Sequence, residues 1–319
     1  MSTQSSTALY SLTICGRAVL NMHSLNNEGG EGNQIATRMV TIVTPANGSY
    51  RLSTVNAISG DMFKHIQAEH FYLLARSRGF NLCTGCQRFS ADRILGDSDF
   101  IQHLPSRDAE TINQLLHRCA LDDVAGSLVA RGNRSIPRKS VVEFGWVVGL
   151  PDFTQTQSYF HVRYAAERGG EEAVEQPIFH RPASSGVYAI VAHLELARIG
   201  FNDITQQYVL DDEERARRHR TLLESVLYTF VEPNGAMRST QNPHIVDFQG
   251  AITTSSDVVP APALSPIRDD YLEELERLAE ALNALRPGAI RVQPFDSMSA
   301  FGAVMRQIIA DTAPYRLAF

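Results

Sequence analysis

Long hydrophobic runs are missing from this chain. Its most apolar stretches, Val141 to Leu150 and Val187 to Leu196, each have about half the length a membrane-spanning helix needs, and both contain a glutamate. No transmembrane segment and no membrane partner are expected. Cysteine is scarce as well. Cys15, Cys83, Cys86 and Cys119 are too few to scaffold 319 residues with disulfides, and the first residues lack the charged-then-apolar pattern of a secretion signal. A reducing cytoplasm is the expected compartment. Excess positive charge is absent: the formal net charge is −6, so nucleic acid would have to be held by a local basic surface. Catalytic signatures are lacking too, with no GxxxxGK[ST] phosphate loop, no HExxH and no nucleophile elbow. What is present is an ordinary globular composition, 44% hydrophobic and 20% charged, which predicts a packed fold.

Residues 9–22 alternate in character and predict a half-buried strand, with Leu12, Ile14, Ala18 and Leu20 on one face and Thr13, Cys15, Arg17 and Asn21 on the other. Three glycines and three asparagines within residues 23–33 predict a loop. Two strand-like runs, 38–43 and 50–55, flank Pro45-Ala46-Asn47-Gly48 and predict a hairpin. Ser59 reads as an N-cap with Asp61 in the first turn, which opens a helix over 60–78. Residues 80–140 read as an irregular insertion that mixes short helical patterns, such as Ala109 to Arg118, with turns. Runs 141–148 and 185–196 are further strands, and the weakly patterned 151–182 between them reads as a projecting hairpin or mobile loop. Amphipathic helices are expected over 212–230 and 269–285, with a short strand near 244–250 and a proline-rich surface excursion over 251–268. The order strand, helix, strand, strand, helix, strand is that of an α+β, ferredoxin-like core.

An asparagine- and glycine-rich loop followed by Ser59-Gly60 at a helix start suits phosphate binding, with Lys64 and His65 one turn inside. An ordinary capped helix is the competing reading, and the carboxylate of Asp61 favours it. Arg131, Arg134, Arg138 and Lys139 form a basic stripe with no acid between Val124 and Val142, read either as a nucleic-acid footprint or as a solvated loop. The first strand carries no aromatic on its polar face, which argues against simple stacking of bases there. Cys83-Thr84-Gly85-Cys86 has the spacing that lets two thiolates hold a structural zinc, with Cys119 and either His117 or His103 completing the set. Free buried thiols are the alternative.

Three strings, residues 16–21, 24–33 and 57–65, together with Cys119 to Gly126, Arg138 to Phe144 and Gly235 to Ser239, carry a resemblance. In order and spacing they resemble the DevR-type, or autoregulator, branch of the Cas-seven family, I-B-like members of the RAMP superfamily that form the backbone of type I CRISPR Cascade complexes. The resemblance implies an RRM-like palm (1–78, 141–150 and 183–250) with inserted fingers (79–140) and a thumb hairpin (151–182), the remaining 251–319 being a helical extension packed on the palm. It implies a non-catalytic subunit that binds CRISPR guide RNA (crRNA), polymerises as adjacent copies along it, meets target DNA through guide pairing and contacts the other Cascade subunits. The RNA-binding set expected on this basis is Arg17, Asn21, Ser24, Asn26, Asn33, Arg38, Ser59, Gly60, Lys64, His65, Arg134, Arg138, Lys139, Arg181 and Arg238. Two rival functions stay open. One is metal-dependent RNA cleavage of the type III kind, for which Asp61 or Asp122-Asp123 would supply the carboxylate; the other is a zinc-containing regulator acting without guide RNA.

Overall fold

In the computed structural model, which describes residues 6–46, 48–162 and 178–318, the alternating segment becomes a long strand, β1 (Ser11–His23). The next segment departs from the expected loop. It forms a hairpin of β2 (Asn27–Glu31) and β3 (Gln34–Thr37). Its glycines serve the hairpin: Gly29 (φ 111°) sits where the register shifts, and Gly32 (φ 59°) makes the turn. β4 (Met39–Ala46) and β5 (Ser49–Ile58) form the expected hairpin, with Gly48 at φ 76°.

Helix α1 (Gly60–Ser77) starts where its cap predicts, the Ser59 hydroxyl accepting the Met62 N–H at 3.2 Å. The insertion that follows is more regular than its composition suggests. It contains α2 (Thr84–Gln87), α3 (Asp108–Arg118), α4 (Ala120–Ala125) and a hairpin of β6 (Ser127–Arg131) with β7 (Arg134–Arg138). The chain then re-enters the main sheet as β8 (Val142–Phe144), β9 (Val147–Val162) and β10 (Ile178–Leu194). Helix α5 (Asp212–Val231) leads to β11 (His244–Ser255), longer than its sequence pattern predicts. The last segment adds α6 (Tyr271–Leu285), a further strand β12 (Ile290–Phe295) and helix α7 (Met298–Asp311).

The main sheet has the antiparallel order β12-β11-β1-β10-β9-β5-β4, with β8 paired to the far end of β10. The pleat sends Leu12, Ile14, Ala18 and Leu20 of β1 into the main core, where α1 and α5 cover them. Gln67 of α1 donates to Ser225 of α5 at 2.7 Å. Phe230 of α5 stacks on Phe248 of β11 at 4.9 Å and meets Phe63 of α1 and Phe301 of α7. Each such ring withdrawn from water stabilises the fold by roughly 1.5–3 kcal/mol.

The opposite face of β1 is covered too. Cys15 packs with Ala251, Tyr271 and Leu275, and Thr13 donates to the Ala261 carbonyl at 3.2 Å. Residues 260–285 therefore lie across the face that an open sheet of this kind would leave free.

Beyond Gly186, β9 and β10 run on as a ribbon paired from Gln155↔Ser185 to Val162↔Ile178, and Phe153, Phe160 and Val162 on it are exposed. The remaining part of the expected projection, 163–177, lies outside the described residues. No helix among the described residues is long and apolar enough to cross a membrane.

Candidate RNA interface

Segments far apart in sequence meet where β1 ends. The Asn26 side-chain carbonyl accepts the Ser59 N–H at 2.7 Å, which fixes the turn after β1 to the start of α1. The Leu25 carbonyl accepts the Ala236 N–H at 3.1 Å, and Gly235 packs so closely that a Cβ there would lie 2.7 Å from the Leu25 side chain. A Cβ on Gly60 would lie 2.2 Å from the Phe144 carbonyl oxygen, so the helix start rests on the end of β8. Asn26 and Ser24 are buried, Ser24 donating to Asn27 at 2.8 Å, and the Ser59 N–H and hydroxyl are both engaged. Ser24, Asn26, Ser59 and Gly60, all expected at the RNA, thus also hold the junction together, Ser24 and Asn26 buried and Ser59 and Gly60 half-buried.

Around this junction lie groups that do reach the surface. Asn21, Asn33 and His65 are exposed, and Lys64 is half-buried. Burial lowers the Lys64 pKa, as does the Arg93 charge, against the opposing pull of Asp61 and Glu143. Arg38 sits between Glu28, at 2.8 Å, and the Trp146 ring, 5.6 Å from its centroid. Arg181 lies 4.7 Å over the Phe179 ring and donates to Thr240 at 3.1 Å. Arg238 is paired with Glu232 and Asn234. Arg181 and Phe179 line a shallow hollow with Gly30, Gly32, Asn33, Gln34 and Ile35, and Phe179 also stacks on His161 at 5.9 Å. An aromatic ring flanked by a cation and by exposed backbone is a surface on which a base can stack while its phosphate is neutralised. Sequence reasoning missed Phe179, His161 and Trp146; the signal was the aromatic and arginine alternation of Phe179-His180-Arg181.

Further cations of the expected set are held by groups of the protein itself, and of these only Arg138 is interior. Arg138 is fully buried: it pairs with Asp123 at 2.7 Å and Asp203 at 3.0 Å, and donates to the carbonyls of Phe201 and Arg198. Arg17 reaches the Pro266 carbonyl at 2.7 Å and Asp269 at 2.8 Å, which ties β1 to the segment crossing it. Arg134 binds Asp108 at 2.6 Å and the Pro105 carbonyl. Three members of the acid-free stripe, Arg134, Arg138 and Lys139, find acids through tertiary folding, Lys139 half-exposed beside Glu143 and Glu195, whereas Arg131 is exposed.

Cys83, Cys86 and Cys119 come together, but their fourth neighbour is Asp122; the four ligand atoms lie within 4.8 Å of one another and all four residues are buried. His117 is exposed, and His103 caps back onto the Asp99 carbonyl at 2.9 Å. Hydrogen bonds with Cys119 and Cys86 lower the Cys83 pKa to about 5, whereas burial pushes the Asp122 carboxyl up to about 7. Asp123 is buried as well, between Arg138 and Arg218. Neither aspartate of the 122–123 pair can present a metal to an RNA phosphate.

The family described as CRISPR-associated negative auto-regulator DevR/Csa2 matches residues 14–276. A Methanocaldococcus jannaschii protein named CRISPR-associated protein Cas7/Cst2/DevR is 25% identical over 309 residues, covering 91% of this chain and 94% of its own. CRISPR-associated protein Cas7/Csa2 1 of Saccharolobus solfataricus is 24% identical over 254 residues, covering 76% and 77%. Among solved structures, a chain of a CRISPR RNA-guided surveillance complex in a pre-nicking state shares the fold, with a TM-score of 0.50, 12% identity, and coverage of 94% of this chain and 98% of that one. The chain belongs to the DevR/Csa2 family of CRISPR-associated proteins.

Proposed function

We propose that the chain is a non-catalytic guide-RNA-binding subunit, with successive copies packed head to tail along the RNA in an open helical array. Target DNA would be read by base pairing with the guide, and the remaining contacts would be with other subunits of the surveillance complex. The observation that carries this reading is the meeting of residues 24–27, 59–60, 144 and 235–236 at the end of β1, flanked by Asn21, Asn33, Arg38, Lys64, His65 and Arg181. The order β11-β1-β10-β9, with α1 and α5 on one face, supports reading the sheet as an RRM-like palm. On that reading residues 79–140 are the fingers, 151–182 the thumb and 251–319 an extension, of which residues 260–285 close the palm's second face while β12 widens the sheet and α7 packs beside α5.

The test is purification from a host carrying a CRISPR array, followed by sequencing of the bound RNA and incubation of that RNA with magnesium or manganese. Enrichment of array transcripts that stay intact is expected. Bound RNA without array enrichment, or none, would favour a regulator acting alone, and metal-dependent shortening would favour cleavage.

The exposed Phe153, Phe160 and Val162 give the thumb ribbon an apolar surface that suits a neighbouring copy. Deleting 156–176 should therefore leave a folded chain with an unchanged thermal midpoint, while regular assembly on RNA is lost. Normal filaments in electron micrographs of the deletion would reject the thumb assignment.

A further inference from the structure

We propose that Cys83, Cys86, Cys119 and Asp122 bind one structural zinc ion that knots the base of the fingers. The four donors come as two pairs of the same local design. In each pair the first residue caps a short helix and its sulfur accepts the backbone N–H of the residue three positions on: Cys86 N–H to Cys83 Sγ at 3.4 Å, and Asp122 N–H to Cys119 Sγ at 3.4 Å. Cys83-Thr-Gly-Cys86 and Cys119-Ala-Leu-Asp122 thus face each other as two knuckles, the second with a carboxylate where a thiolate would otherwise stand. Asp122 Oδ2 lies 3.2 Å from Cys83 Sγ and 3.4 Å from Cys86 Sγ. The sulfur–oxygen edge of a tetrahedron built with zinc–sulfur and zinc–oxygen bonds is about 3.5 Å, so Oδ2 already stands at coordination distance from both sulfurs.

The surroundings fit a metal. Asp122 Oδ1 is held by Arg93 Nε at 3.1 Å, which leaves Oδ2 turned toward the sulfurs, the orientation a partner outside the coordination sphere gives a ligating carboxylate. Arg93 adopts a left-handed backbone (φ 54°) and also grips the carbonyls of Leu121 and Gly126. Gly85 is required where this loop closes, because a Cβ there would lie 1.9 Å from the Arg93 carbonyl oxygen. Three thiolates and one carboxylate around a divalent ion leave a net charge of −2, which the guanidinium reduces to −1. Thiolate-rich, four-coordinate, buried donors select zinc over magnesium or calcium. Binding displaces the thiol protons and involves no redox step. The ion would join residues 83–86 to 119–122, adding to the backbone link from the Ala120 N–H to the Asn81 carbonyl at 2.9 Å.

Protein purified under reducing conditions from zinc-supplemented cells should carry about one zinc per chain by elemental mass spectrometry. The same content is expected for Cys15→Ser, whose thiol lies in a separate cluster, and for His117→Ala. Cys86→Ser should fall at least about tenfold in zinc content, and Asp122→Ala should yield its zinc to a chelator at least about tenfold more readily. If those variants do not fold, cobalt added to the reduced parent chain decides, because a tetrahedral thiolate site gives charge-transfer and ligand-field absorption that other sites do not. Reduced, folded parent protein that takes up neither zinc nor cobalt overturns the proposal, as does zinc retained in Cys86→Ser. Unchanged chelator resistance in Asp122→Ala overturns the carboxylate assignment.

Discussion

Replacing Asp123 by alanine is expected to destabilise the protein by about 3–5 kcal/mol, the range for removing one partner of a buried ion pair. The carboxylate accepts from Arg138 at 2.7 Å, from Arg218 at 3.0 Å and from the Gly200 N–H at 3.1 Å, and both guanidinium groups are buried with it. Its loss leaves the two buried guanidinium groups with only their part-exposed carboxylate partners, Asp203 for Arg138 and Glu214 for Arg218. Denaturant titration checks the size of the effect, and a midpoint within error of the parent would mean that the network is not internal. Arg138→Ala should be similarly damaging to the fold. Measured on the folded fraction, however, it should leave the salt dependence of RNA binding unchanged, which separates a structural arginine from a contacting one.

Gly60→Ala is the second substitution with a large expected effect. A methyl group at this position would lie 2.2 Å from the Phe144 carbonyl oxygen and 3.1 Å from its carbon, so either α1 or the end of β8 must move. Overpacking of this kind costs about 1–3 kcal/mol. The displacement falls at the junction itself, where Asn26 holds the Ser59 N–H. RNA affinity should therefore fall together with thermal stability. Full affinity in a folded Gly60→Ala variant would detach the helix start from the RNA surface.

Elements that announce themselves by period and by caps were legible in the chain. α1 has Ser59 at its start and Gly79 beyond its end, α5 has its leucine and valine stripe, and β4–β5 has Asn47-Gly48 between two alternating runs. The β2–β3 hairpin was not legible, because its pairing is made by backbone groups while its glycines and asparagines argue for a loop. Helix α7 was hidden by Gly302 and by the absence of a charged face in Met298 to Met305.

The site was readable by halves. The strings at 24–29, 57–65 and 235–239 meet at one junction, yet which of their residues hold the framework depends on contacts across roughly the whole chain. Asn26, Gly60 and Arg138 look like surface groups until Ser59, Phe144 and Asp123 are brought against them. The thiols were visible in sequence; the carboxylate that joins them was not, because one aspartate of an Asp-Asp pair carries no signal about which way it turns.

The most direct test of RNA binding at this junction is a salt titration of single-stranded RNA affinity for the parent and for Lys64→Ala. Lys64 and Lys139 are the chain's two lysines, and Lys64 lies one turn inside α1. If Lys64 neutralises a phosphate, its removal eliminates one counterion-release contact and should lower the slope of log affinity against log salt by roughly 0.7, about equally for unrelated RNA sequences. Identical slopes and affinities for parent and Lys64→Ala across the titration would contradict the account and place the RNA elsewhere on the protein.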